Sequence, residues 1–304
     1  MKRKIMSLGR TCLVVSLPSK WHQKYNLKKG DELELSELDN TLVIGQTTKT
    51  EKKKTIEFDV YNKSLLRVIV SQLYRLGYSE LTLKFREEQP YADILDVVHN
   101  LKGYEIVSSD LKKTCIIRDV MRTDINISIS EVVIKMFQKI NLLFELVIER
   151  INDLSKNDND IIKLREEIMK DREYCQREAV LLKTDNSYEY YNFIMSLEKI
   201  AGEYYHIFTA AHKLKIKIGN ESIHLLKDHQ DLFRELYSVF LKKDFEPRHM
   251  FYLKIRDLCH KDWYENNYIK LLNEKKYEEE VVLCCDRLLQ YLLMLSSRIQ
   301  NLIV

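Results

Sequence analysis

Hydrophobic and polar side chains alternate in short runs along the first 45 residues, the period of strands with one covered face. "TCLVVSL" reads as a strand, and Pro18 opens a helical turn carried by "SKWHQKYN". "KKGD" reads as a turn in which Gly30 supplies a positive φ, and "ELELSEL" with "TLVIG" as a hairpin around Asp39 and Asn40. Residues 3–45 are thus expected as four short strands and one short helix. The run "QTTKTEKKK", residues 46–54, has nothing to bury and reads as a linker.

From Thr55 the two periods take turns. "KTIEFDV" is a strand, "KSLLRVIVSQLYRLGY" an amphipathic helix stopping near Gly77, and "SELTLKF" a second strand. "PYADILDVVHNLKGY" is a helix bounded by Pro90 and Gly103, and "EIVSSDLKKTCIIRDV" a hairpin. The order β-α-β-α-β-β predicts a small α/β domain over 55–121. After Asp124 no strand period survives, and six long amphipathic segments separated by short polar breaks predict a helical bundle over 125–304. The expected fold class is α+β and multidomain: a β-domain over 1–46, the α/β domain, and the all-α bundle.

Charge divides unevenly over this plan. Of a net +3, residues 1–54 carry +6, from 12 Lys or Arg against 6 Asp or Glu, which leaves −3 on residues 55–304. Residues 1–29 hold eight cations and no carboxylate. Such a module faces a polyanion. Lys2, Arg3, Lys4 and Arg10 are the leading candidates to contact it. Lys20 and Lys24 join them as candidates, although the wet face of an amphipathic turn explains those two equally well. Trp21 is read as a core anchor rather than a base-stacking platform.

Composition excludes other classes. The six cysteines form no C-x-x-C pair and sit mostly in apolar runs, so reduced thiols and a cytoplasmic protein are expected. The apolar run near the start spans only Cys12 to Val15, too short for a signal peptide, and no run approaches the ~20 residues of a membrane span. G-x-x-x-x-G-K-[ST], G-x-G-x-x-G and G-x-S-x-G are all absent, so neither catalysis nor a cofactor is expected. His206, His212, His224, His229, His249 and His260 lack an H-E-x-x-H spacing and read as ordinary helix residues. Tyr188, Tyr190, Tyr191, Tyr204 and Tyr205 read as bundle core with hydroxyls at its edge.

The segment carrying Ser16-Leu17-Pro18, Trp21 and Leu27-Lys28-Lys29-Gly30-Asp31 resembles the swapped-hairpin domain of AbrB/SpoVT-like transcription regulators. The resemblance implies that two chains interleave their hairpins into one β-structure that binds double-stranded DNA. That agrees with the size of the element, since four short strands and one helical turn hold too little core to stand alone. The chain as a whole resembles archaeal PhoU-related phosphate uptake regulators, through "LREEIMKDREYCQREAVLL", "SLEKIAGEYYHI" and "CCDRLLQYLLMLSSRIQNL". This resemblance implies a homodimeric DNA-binding regulator with a PhoU-like helical bundle as its sensing or docking half. Its alternative is a signalling adaptor that binds a transporter or kinase through the bundle and uses the N-terminal module only to dimerise.

Such bundles carry E/D-x-x-x-D motifs whose paired carboxylates lie on one helix face and gather metal ions. Here Glu198 is followed four residues later by Gly202, and Asp171 by Cys175. Glu203 is turned about 100° from the face that holds Glu198 and position 202. The motifs are degenerate, and no metal is expected at Glu198, Gly202, Asp171 and Cys175.

Overall fold

The computed structural model describes residues 3–9, 12–38, 41–46, 52–88, 90–110, 113–121, 129–153, 158–182, 186–214, 218–242, 244–260, 268, 279–300 and 302. The chain forms two compact units, Met1–Glu51 and Lys52–Val304.

In the first unit β1 (Ile5–Leu8) pairs antiparallel with β2 (Cys12–Val15), and α1 (Ser19–Lys24) follows Pro18. Then β3 (Leu33–Leu38) pairs antiparallel with β4 (Thr41–Gln46). Gly30 has a φ of +99° in the turn before β3, the conformation that a residue without a Cβ adopts at no steric cost. The hairpins are two separate two-stranded sheets. The hairpin tip at Asp39 and Asn40 lies outside the described residues. No described side chain of this unit is buried. Trp21 is half-buried and tilts against Tyr25 at 5.5 Å, so within one chain it anchors no core.

The second unit opens with β5 (Lys53–Phe58), α2 (Lys63–Arg75), β6 (Glu80–Phe85), α3 (Tyr91–His99), β7 (Tyr104–Ser109) and β8 (Thr114–Asp119). Strand order is β5-β6-β8-β7; β5 and β6 are parallel, as a crossover through a helix requires, and the other pairs antiparallel. Asn62 caps α2 by accepting a hydrogen bond from the Leu65 amide at 3.0 Å. Leu66, Val70 and Tyr74 of α2 and Ile94, Val97 and Val98 of α3 are buried against Leu81, Leu83, Cys115 and Ile117 of the sheet.

The helices that follow are α4 (Ile129–Asn152), α5 (Asn159–Leu182), α6 (Ser187–Leu214), α7 (Asn220–Leu241), α8 (Phe245–Leu258) and α9 (Glu279–Arg298). The fifth expected segment, read as running to residue 273, is covered by α8 as far as Leu258; residues 261–267 and 269–278 lie outside the described residues. α6 packs against α4, α5 and α9, and Phe137, Phe193, Phe233 and Phe240 meet in the core with centroids 5.2–6.2 Å apart. Arg248 is buried beneath the helix ends. It donates to the carbonyls of Phe240, Lys242, Ile299 and Leu302, acceptors left unpaired where α7 and α9 stop.

The α/β segment and the bundle, expected as two domains, belong to one compact unit. α2 lies directly on α5. Gly77, with a φ of +78°, brings the end of α2 so close to Leu181 that an added Cβ would stand 2.5 Å from its Cδ2. Hydrophobic periodicity divides elements but does not reveal a seam made of charged side chains, and this seam is charged.

Candidate functional site

Two regions concentrate chemistry. The first is the N-terminal hairpin. In an antiparallel pair, directly opposed residues share a face, so the register Ile5↔Val15 and Ser7↔Leu13 puts Ile5, Leu13 and Val15 on one side. That apolar face is open, with Leu13 71% and Ile5 69% exposed. Arg3, Lys4, Lys20 and Lys24 are exposed in the same unit. Lys2 and Arg10 lie outside the described residues. Lys24 is 5.2 Å from the centroid of the Tyr25 ring, so its ammonium already has a neighbour on the protein.

The second region is the seam between α2, α3 and α5. Arg177 on α5 is fully buried. It donates to the Tyr74 carbonyl and to Asp119 at 2.6 Å, with its guanidinium 4.7 Å from the Tyr74 centroid. Asp171, 2% exposed, accepts from Lys102 of the α/β segment and from Lys139 of α4 at 2.8 Å. Arg75 donates through one nitrogen to both Glu173 oxygens, at 2.7 and 2.9 Å. Arg172 joins Glu173 to Glu198, and Arg165 donates to Glu198 from the other side.

The degenerate motif positions therefore sit inside an internal ion-pair network. Burial by itself would raise the Glu198 pKa, yet Arg165 and Arg172 outweigh it and hold the carboxyl below its ordinary value. A Cβ at Gly202 would stand 3.6 Å from Arg165 Nη2, an ordinary van der Waals contact, so the guanidinium lies directly beside this position. Where the motif would place a second carboxylate, a guanidinium lies over the helix instead. Cys175 is buried, and burial pushes its thiol far up, so it stays protonated and takes no part in pairing. Glu203, expected on another face, does point elsewhere and binds Arg287 at 2.9 Å.

A cleft of about 490 Å³ opens above this network. Val68, Leu101, Ile162 and Met169 give it apolar walls, while Arg67, Arg75, Arg165 and Arg172 bring guanidinium groups to its edge. Arg165 Nη1 and Arg172 Nε are buried and have no protein acceptor. This pairing of apolar walls with convergent donors suits a small molecule that has an anionic head. No local pattern in the sequence marks it, since its lining comes from four helices spread between residues 67 and 205.

Tyr204 is core, edge-on to Phe144 at 4.9 Å; Tyr205 lines the cleft; Tyr190 and Tyr191 are half-buried and Tyr188 is exposed. His229 is fully buried: Nδ1 faces the Leu225 carbonyl and Nε2 the Tyr268 hydroxyl, both at 2.6 Å. Burial lowers its pKa, so the ring is neutral and donates from Nδ1. His206 meets Glu280 at 2.7 Å, His212 meets Asp158 at 3.1 Å, His249 stacks on Phe245, and His224 and His260 are exposed. Among the described residues no helix is long and apolar enough to cross a membrane.

No protein-family model matches the chain, and no curated protein matches it. Among solved structures the chain is similar to the phosphate transport system regulatory protein PhoU from Streptococcus pneumoniae, at 13% identity and a TM-score of 0.41, over 57% of this chain and 95% of that one. A likeness of this degree does not extend to function.

Proposed function

We propose that the protein is a homodimeric DNA-binding transcription regulator, in which residues 1–46 of two copies pair through their hairpins and lay their cations on a duplex. The second unit is then the sensing or docking half, with the arginine-edged cleft as the place where an effector is read. Phosphate uptake as the regulated process rests on the sequence resemblance to PhoU-related regulators alone.

One observation carries the reading: the N-terminal unit exposes an apolar strand face and a set of cations together, with no described side chain buried. Open apolar faces of this kind are normally covered. A second copy covers it and doubles a modest charge into a patch that a phosphate backbone can use. The guanidinium groups over the buried carboxylates of Glu198 and Glu173 support a bundle that does not work through a multinuclear metal cluster, since each carboxylate already has its counter-charge.

The test is fluorescence anisotropy of the full chain on a duplex from its own upstream region and on a scrambled duplex, across a salt series. If about six to eight cations of the dimer neutralise phosphates, log K falls with log salt at a slope of about −5 to −7. Arg3→Ala with Lys4→Ala, four cations per dimer, flattens the slope by about 3 to 4. A slope near zero removes DNA and leaves the adaptor reading, with a transporter or kinase as the bundle's partner.

A further inference from the structure

We infer that α6 and α9 together bind one divalent transition-metal ion of the zinc class, through His206 Nε2, Cys284 Sγ and a Glu280 carboxylate oxygen, with Glu203 at the fourth position. The site is separate from the degenerate motif positions and from the cleft, and it stands or falls independently of DNA binding.

Spacing and packing bring the ligands together. Glu203 and His206 are three residues apart on α6, and Glu280 and Cys284 four apart on α9, so each pair shares a helix face. The two helices pack side by side. As a result the His206, Glu280 and Cys284 donor atoms all lie within 4.8 Å of one another, and His206 Nε2 is 2.7 Å from Glu280 Oε1. A tetrahedral shell built from bonds of about 2.0–2.3 Å needs donor separations of roughly 3.3–3.8 Å. Rotation of His206 and Glu280, both about half-exposed, closes that gap without moving a helix. Cys284 is buried, which gives the site a fixed inner ligand and an open mouth.

Ligand chemistry selects the ion. One imidazole, one thiolate and carboxylate oxygens suit zinc and its neighbours, whereas calcium and magnesium require oxygen throughout. Binding forms a metal–sulfur bond as the thiol proton leaves to solvent, and it exchanges the His206–Glu280 hydrogen bond for two metal bonds.

The cluster already attracts a cation. Arg287 Nη2 is 3.1 Å from Cys284 Sγ and 3.5 Å from Glu280 Oε1, while its Nε is 2.9 Å from Glu203. A cationic nitrogen thus sits close to where the ion would be. Arg287 is 38% exposed and can turn out to solvent. Arg165 and Arg172, only 15% and 18% exposed over Glu198, have no such exit. Accessibility of the resident guanidinium is what separates this cluster from the degenerate motif.

The experiment is titration of the reduced, full-length protein with Co2+, followed by displacement with Zn2+. The expected result is one equivalent per chain, with the visible absorption of tetrahedral Co2+ and a near-ultraviolet thiolate-to-cobalt band, bleached by Zn2+ and not by Mg2+. Cys284→Ser loses the thiolate band, and His206→Ala, at an exposed position that leaves the fold alone, weakens binding at least tenfold. Arg287→Ala tightens binding, because the competing cation is gone. No cobalt spectrum, a thiolate band that survives in Cys284→Ser, unchanged affinity in His206→Ala, or no tightening in Arg287→Ala each overturns the assignment.

Discussion

Arg177 of α5 donates to Asp119 at the end of β8 at 2.6 Å while its guanidinium lies 4.7 Å from the Tyr74 ring, and both partners of the ion pair are buried. The bundle thereby holds the sheet through a charge that has no other outlet. Removing one partner of a buried pair costs about 3 to 5 kcal/mol, because the other is left uncompensated. Arg177→Met should lower the unfolding free energy by that amount in urea. It should also separate unfolding into two transitions, one for the α/β segment and one for the bundle.

Glu198 balances Arg165 and Arg172. Its folded pKa is lowered, so its contribution is present above the unfolded value near 4.5 and is lost as pH falls through the folded value. Glu198→Gln should cost about 3 kcal/mol at neutral pH and much less at the acid end of a denaturation series. An equal cost at every pH would show that the carboxylate is not paired.

His229 runs in the opposite chemical sense. Its folded pKa is depressed, so the unfolded chain takes up more protons below its ordinary value of 6.5. Stability should be constant above about pH 6.5 and fall as pH drops below it. His229→Gln should flatten that part of the curve while lowering its plateau. Thermal unfolding between pH 5 and 8 measures both.

The carboxylates over which the motif would assemble metal are held by guanidinium and ammonium groups of the same chain. Elemental analysis of the purified protein should therefore find fewer than two tightly bound transition-metal ions per chain. Two or more would contradict the pairing at Asp171, Glu173 and Glu198.

Leu13 lies on the open face of the first hairpin. A charge placed there meets water in a monomer, at little cost, but is buried in a paired dimer. Leu13→Asp should shift the sedimentation coefficient from dimer to monomer without loss of helical circular dichroism. A variant that still sediments as the wild type does would remove the hairpin pairing.

The sequence by itself determined the elements, because their boundaries are local. Strand alternation around Leu33 to Leu38, the helical period from Lys63, and the stops at Gly77 and Gly103, both at positive φ, need no information from elsewhere in the chain. It also determined that Glu203 leaves the Glu198 face, since helix geometry fixes that angle. Tertiary structure alone decided the rest. Arg75 meets Glu173 across 98 residues, His206 meets Glu280 across 74, and Arg177 meets Tyr74 across 103. A charged residue looks the same in sequence whether it faces water or a partner, and its partner is chosen by how helices pack. The seam, the cleft and the α6–α9 cluster are all built from such residues, which is why periodicity could place the helices and not what lies between them.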